Sequence, residues 1–413
     1  MPELVELISP VVSPRVKIEL PASKSLSNRI LILEAVTNGL VKGIGYSDAE
    51  DSRNLKRCIE EKSTEMYVGE GGTTLRFLMA FLAATVNYEG VLRGSDRLMK
   101  RPVDALVLAL NSLGAEVEIV NKDKEISISI SGKSIRGGEL ELAPSESSQF
   151  ASALLLAAPL FEQGLHLKLP KDFPSVSYLL MTVKLMQACG FDISVNKHEV
   201  NFNISSLKPV EIKIEKDWSS ASYWYGIVSL LKGSRIELEG LGIDSLQGDA
   251  SCVDVFKFFG VKTTETESGI VISNEELIMH ELAFDVAEFP DLFPTLAFTA
   301  AAKRMKIYFS GLSTLRVKES DRVEAVMKEL AKVGVKSSLL NSDLLMIDAK
   351  ELRTDRMVIF ETYDDHRIAM GAAILSTVLW KAAIRNPHVV GKSYPSFWQQ
   401  LSLLGFSVKE FAS

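Results

Sequence analysis

Apolar and polar positions along this chain fall into two rhythms that recur in the same order. A helical stretch with apolar residues at 3.6-residue spacing ends at a glycine, an alternating strand follows, then a polar turn and a second strand. The helix-ending glycines are Gly114 (LALNSLG), Gly190 (VKLMQACG), Gly260 (VFKFFG), Gly334 (ELAKVG) and Gly405 (LSLLG), roughly 70 to 76 residues apart, a spacing that marks internal repetition. Glycine suits the left-handed position just past a helix. Val117 to Ile130 shows the hairpin, with Asn121-Lys122-Asp123-Lys124 as its turn and Ile126, Ile128 and Ile130 alternating with serines. The first repeat departs from the pattern, because its helix, Ser52 to Glu61, lacks the terminal glycine and the hairpin.

A second recurring element is a small polar cluster that opens a helix rich in Ala and Leu. Six are present: Ser23-Lys24-Ser25, Gly71-Gly72-Thr73-Thr74, Ser147-Ser148-Gln149, Ser219-Ser220, Pro290-Asp291 and Asp364-Asp365-His366-Arg367. The helices behind them are apolar nearly all round and so are expected to be buried, and all six openings offer capping side chains. A buried helix must end its unpaired amides against something polar. Six amino ends brought to one place would form an anion trap. Capping alone does not require Lys24, Arg29, Arg76, Gln149, Asp291 and Arg367 to sit at or within about a turn of these starts, and buried helices rarely carry such residues unpaired.

Composition narrows the class. At 413 residues the chain is long enough for two large domains. Its net charge of -7 keeps it soluble and argues against a broad nucleic-acid surface. Cys58, Cys189 and Cys252 are odd in number and lack CxxC spacing, so neither a disulfide framework nor a zinc site is expected, and a reducing cytosol fits. Met1-Pro2-Glu3-Leu4 shows no targeting signature, and the apolar run Phe150 to Phe161 is far too short to span a bilayer, so no membrane association is expected. With no heptad run or partner helix in view, a cytoplasmic monomer is the default.

Against this background Arg316-Val317-Lys318-Glu319-Ser320-Asp321-Arg322 stands out as a crowd of opposite charges. The spacing predicts a helix beginning near Val317 that puts Lys318, Asp321 and Arg322 on one face, able to grip a phosphate. Glu319 would lie about 100° around it as a proton carrier.

Read for identity, the same stretches resemble the 3-phosphoshikimate 1-carboxyvinyltransferase family, also called 5-enolpyruvylshikimate-3-phosphate synthase. The matching motifs, in order, are PASKSLSNR (Pro21 to Arg29), GGTTLRF (Gly71 to Phe77), RLMKRP (Arg97 to Pro102), SSQF (Ser147 to Phe150), QGD (Gln247 to Asp249), FPD (Phe289 to Asp291), RVKESDR (Arg316 to Arg322), DDHR (Asp364 to Arg367) and GKSYP (Gly391 to Pro395). The resemblance implies a two-domain inside-out α/β barrel of six β-α-β-α-β-β repeats, helices inside and sheets outside. The domains would be 20–216 and a discontinuous 1–19 with 217–413. It also implies transfer of the enolpyruvyl group of phosphoenolpyruvate to the 5-hydroxyl of 3-phosphoshikimate, with release of phosphate and with neither metal nor bound cofactor.

Carried over by position, the resemblance assigns Lys24, Ser25, Arg29, Ser147, Ser148, Gln149, Ser175, Asp291, Thr314 and Lys318 to 3-phosphoshikimate, with Tyr178 flanking it. It assigns Lys24, Gly72, Arg101, Gln149, Arg322, Arg367 and Lys392 to phosphoenolpyruvate, whose carboxylate and phosphate suit planar guanidinium forks. Asp291 would serve as base on the hydroxyl, Glu319 as acid on the methylene and Lys24 as a relay. Glycine at position 72 goes, in this family, with sensitivity to glyphosate. Three positions depart from the commoner pattern. Glu70 stands where a small polar residue is frequent, and Thr314 and Leu315 stand where Asn and an aromatic residue or Arg are common. The related transferase acting on UDP-N-acetylglucosamine fits less well, since the loop Arg97-Leu98-Met99-Lys100-Arg101 has no cysteine and Lys24 is followed by Ser25 rather than Asn. A non-catalytic anion or RNA-end binding protein is the alternative of another class, and it would have no use for Asp291 and Glu319 beside the cations.

Overall fold

The computed structural model describes residues 3–10, 14–123, 125–142, 148–171, 173, 175–275 and 279–411. The chain divides into two compact units, Ala22–Ile214 and a discontinuous one made of Met1–Pro21 and Glu215–Ser413.

In the Ala22–Ile214 unit the predicted hairpins are Glu116–Lys122 with Glu125–Ser131, and Asp192–Asn196 with Glu199–Asn203. Each joins a four-stranded sheet by the same rule. A parallel pair, Glu65–Tyr67 beside Glu89–Arg93 or Gly138–Glu141 beside Leu165–Lys168, is extended on one side by the antiparallel hairpin. Period-2 alternation explains the inward face: Ile128 and Ile130 are buried while Glu125 and Ser131 are not. The third sheet is only the parallel pair Val41–Ile44 and Val210–Lys213. It stops there because the helix that follows Val41–Ile44, Glu50–Glu61, ends at Lys62 in the left-handed conformation and leads into the next sheet's strand at Glu65 with no hairpin between. At the five other helix ends the equivalent place is held by Gly114, Gly190, Gly260, Gly334 and Gly405, all at positive φ.

The discontinuous unit repeats the rule three times. Arg15–Glu19 with Arg235–Glu239, Glu281–Asp285 with Lys306–Ser310, and Met357–Phe360 with Lys381–Arg385 are the parallel pairs. The first two carry their own hairpins. The last does not. Its third strand is Leu4–Ile8, which lies antiparallel between Lys381–Arg385 and Ser407–Phe411.

Each unit holds three inner helices: Lys24–Val36, Gly72–Ala83 and Ser148–Ala157 in one, Trp218–Leu230, Phe293–Ala302 and His366–Ile374 in the other. Phe293–Ala302 and His366–Ile374 are buried at every position, as their all-round apolar composition requires. Close packing follows from small residues: a Cβ on Gly226 would lie 2.7 Å from Ile374 and from Thr299, and one on Gly371 would lie 2.7 Å from Phe298. Beside them Trp224 packs against Phe397 and Tyr394, with ring centroids 5.6 and 6.2 Å away. Truncating such a residue costs roughly 3 to 5 kcal/mol. The three cysteines are buried free thiols. Among the described residues no helix is long and apolar enough to cross a membrane.

Two expectations need correction. Of the five inner helices whose cap residue is described, three show a side-chain cap: Ser23 accepts from the Leu26 amide, Asp217 from Ser220 and Asp365 from Arg367. Gly72–Ala83 and Phe293–Ala302 follow Gly71 and Leu292, which provide none. The fourth opening contributes its cap from Asp217, one residue before the helix, rather than from its serines. The charged stretch is also not helical from Val317. Ser313–Val317 is a 3₁₀ turn, Lys318 is extended, and the helix Arg322–Lys332 starts after Asp321, whose carboxylate accepts the Glu324 amide at 3.0 Å. An aspartate that can satisfy a first-turn amide sets the start more strongly than favourable charge spacing does. Asp321 therefore pairs with Arg316, at 3.4 Å, outside the expected face.

Candidate active site

Within each unit the amino ends of the three inner helices meet, and the predicted residues gather there. In Ala22–Ile214, Asn28 at the start of the first helix donates to Thr73 Oγ1 at the start of the second (2.9 Å), and Arg76 Nη1 donates to Gln149 Oε1 on the third (2.9 Å). Lys24, the first residue of its helix, pairs with Asp51, Nζ to Oδ2 3.0 Å. Gly72 is the point of closest approach. A Cβ there would stand 2.6 Å from Arg76 Nη1 and 2.7 Å from Arg101 Nη1, so the missing side chain is what lets two guanidinium groups crowd an uncapped helix start.

Arg29 is placed differently from its expected role. It is almost fully buried and donates to Thr182 Oγ1 (2.7 Å), to the Ser25 carbonyl (2.9 Å) and to the Tyr178 carbonyl (3.0 Å). It ties the helix Lys24–Val36 to Val176–Ala188, fixing the backbone of two other predicted residues. Burial draws its guanidinium down to about 10, still charged at neutral pH. Ser148 and Ser175 are buried, and Ser175, at φ 53°, keeps a buried Oγ without a hydrogen-bond partner among the described residues. Ser147 lies outside the described residues.

The discontinuous unit gathers the denser cluster. Arg322, 1 % exposed, donates from Nη1 to Asp291 Oδ1 (2.8 Å), from Nη2 to Glu319 Oε2 (2.8 Å) and from Nε to Asp365 Oδ2 (2.9 Å). Arg367 Nη2 donates to Asp291 Oδ2 (2.7 Å) and to Ser219 Oγ (3.3 Å), and Lys318 Nζ stands 3.8 Å from Asp291. Burial pushes the Asp291 carboxyl up, but Arg367, Lys318 and Arg322 together outweigh it and hold it well below the usual carboxylate range. Lys392 Nζ donates to the Asp364 carbonyl at 2.6 Å. Thr314, in the 3₁₀ turn, has a buried Oγ1 without a hydrogen-bond partner among the described residues.

Sequence reasoning gave no role to Asp51 or Asp249, and none to Asp365 beyond capping its helix. Asp249 lies in the QGD stretch and takes the Ser219 hydroxyl on Oδ2, while its buried Oδ1 meets no donor among the described residues. That is the setting of a neutral acid. Burial, reinforced by Asp291 and opposed by Arg367, pushes it up to about 7. A carboxyl raised from its ordinary 3.8 favours the folded state while protonated, so its contribution is full below pH 3.8 and is lost as pH rises to about 7. Asp249→Asn is therefore expected to raise the melting temperature by several degrees at pH 8 and to match the parent near pH 4, as read by thermal unfolding.

The comparisons fit this geometry. The family model of EPSP synthase (3-phosphoshikimate 1-carboxyvinyltransferase) matches residues 51–401. A 3-phosphoshikimate 1-carboxyvinyltransferase of Bacteroides fragilis is 35% identical over 393 residues, 95% of this chain and 96% of that one. The chain belongs to the EPSP synthase family. Among solved structures, an EPSP synthase from Acinetobacter baumannii matches with TM-score 0.78 at 21% identity, covering 98% of this chain and 100% of that one. The enolpyruvyl transferase NikO from Streptomyces tendae matches with TM-score 0.75 at 15% identity over 100% of both chains. These likenesses show the two-domain inside-out α/β fold of EPSP synthases.

Proposed function

We propose that the two clusters carry out the reaction for which the EPSP synthase family is named. The protein transfers the enolpyruvyl group of phosphoenolpyruvate to 3-phosphoshikimate, a step of the shikimate pathway towards aromatic amino acids. The observation that supports the residue roles best is the binding of Asp291 and Glu319 to one buried guanidinium, Arg322, with Arg367 and Lys318 closing on Asp291.

At rest Asp291 is a weak base, because three cations stabilise its anion. Arg322 and Arg367 are also the cations assigned to phosphoenolpyruvate. When that anion takes up their N–H groups, Asp291 loses its strongest partners and gains basicity. It then removes the proton of the 5-hydroxyl while Glu319 protonates the methylene carbon, and the tetrahedral adduct breaks down as the new methyl group returns a proton to the Glu319 carboxylate and the C–O bond to phosphate breaks, restoring the double bond. Lys24 contacts both ligands. No metal is required in this scheme, and the protein acts as a cytoplasmic monomer without a nucleic-acid partner.

The test is phosphate release on mixing the protein with phosphoenolpyruvate and 3-phosphoshikimate, with UDP-N-acetylglucosamine as a parallel acceptor and a chelator present throughout. Release with 3-phosphoshikimate alone supports the acceptor and metal independence; release only with the sugar nucleotide overturns the acceptor. Silence with both points to an anion-binding protein.

Gly72→Ala probes the phosphoenolpyruvate side. The added methyl must displace both Arg76 and Arg101 by several tenths of an ångström. The expected result is a KM for phosphoenolpyruvate raised up to about tenfold, with inhibition by glyphosate weakened further. Unchanged inhibition in an active variant would place the analogue elsewhere.

A further inference from the structure

The loop that brings Asp365 and Arg367 into the cluster is bent against the preference of its side chains. Tyr363 and Asp364 both have φ of 53°, a left-handed pair of non-glycine residues that is strained unless its surroundings hold it. Something must hold it. The next residue, Asp365, takes Arg322 Nε at 2.9 Å, takes the Ser320 hydroxyl at 3.0 Å and caps the helix that begins with His366 and Arg367. A relaxed turn would move all of these.

The restraint comes from the helix Arg322–Lys332. Glu329 lies two turns beyond Arg322 on the same side of that helix. Its side chain is fully buried, accepts the Tyr363 hydroxyl at 2.6 Å and the Glu361 amide at 2.9 Å, and pairs with Lys332 at 2.7 Å. Burial, together with the bond to Glu329, holds the Tyr363 phenol well above its ordinary value, so it stays a donor at any assay pH. Helix and loop are thus fastened at two points, Arg322 to Asp365 and Glu329 to Tyr363.

We infer that Glu329, acting through Tyr363, is a positioning residue that holds the left-handed turn and so aims Asp365 at Arg322 and Arg367 at Asp291. The kinetic consequence rests on the proposed assignment of Arg322 and Arg367 to phosphoenolpyruvate.

Tyr363→Phe removes the donor of the tether and Glu329→Met removes its acceptor, both while keeping most of the packing. Both are expected to raise the KM for phosphoenolpyruvate about tenfold, leaving the KM for 3-phosphoshikimate unchanged. Adding Asp364→Gly to Tyr363→Phe should restore the parent value, since glycine adopts positive φ without strain. Hydrogen exchange gives a readout independent of turnover. In both single variants the amides of Asp365 and Arg367, which bond to the Thr362 carbonyl and the Asp365 carboxylate, should lose about tenfold in protection. Unchanged exchange and unchanged KM in folded variants overturn the inference, as does a fall in melting temperature alone. Faster exchange in a protein whose parent releases no phosphate would uphold the tether and overturn the functional reading instead.

Discussion

Arg322→Met is expected to destabilise the discontinuous unit by about 3 to 5 kcal/mol at pH 7, because removing one partner of a buried ion pair leaves the others uncompensated. Here the single guanidinium serves Asp291, Glu319 and Asp365 at 2.8 to 2.9 Å. The loss should depend on pH. Burial pushes Asp291 and Asp365 up, and Arg322 is among the cations that hold both below their ordinary 3.8. Their contribution to stability is present above that value and is lost as pH falls through the depressed one. Parent and variant should therefore differ most near neutrality and converge on acidification below pH 3.8, as followed by urea unfolding at several pH values. Equal stability at pH 7 would show that the cluster is not held together by Arg322.

Asp291→Asn should lower kcat by about 10² to 10⁴-fold, the usual worth of a positioned base. Its KM for 3-phosphoshikimate should change far less, since Lys318 and the other groups assigned to that ligand are untouched. Glu319→Gln separates the second proton. If Glu319 protonates the methylene carbon, the variant loses both turnover and the incorporation of solvent deuterium into the enolpyruvyl product. Retained incorporation would assign that proton to another group.

How much of this was legible in the sequence depended on the distance over which a residue acts. The hairpins were visible because their signal is local: a glycine at a helix end and isoleucines alternating with serines, as at Val117 to Ile130. The gathering of helix starts was visible as repeated polar clusters before apolar runs. Pairings across long separations left no trace. Lys24 meets Asp51 across 27 residues and Glu329 meets Tyr363 across 34, and nothing in either segment's periodicity announces the other. Arg29 was legible as a buried charge, but not as a strut satisfied by Thr182 and two carbonyls. The charged stretch failed for a different reason. The spacing of Lys318, Asp321 and Arg322 mimics a helical face, whereas capping by Asp321 starts the helix at Arg322 and leaves Lys318 extended, from where it still reaches Asp291.

The strand Leu4–Ile8, which closes the last sheet between Lys381–Arg385 and Ser407–Phe411, also sets an order for synthesis. Both of its neighbours emerge from the ribosome more than 370 residues later, on the order of 20 to 80 seconds at ordinary translation rates. During that interval the Ala22–Ile214 unit, contiguous in the chain, can complete its own sheets. The strand's two edges meanwhile remain open to pairing with another chain. Assembly of the discontinuous unit is thus tied to the synthesis of Ser407–Phe411, and synthesis interrupted before that strand leaves a folded insert carrying an adhesive strand ahead of it.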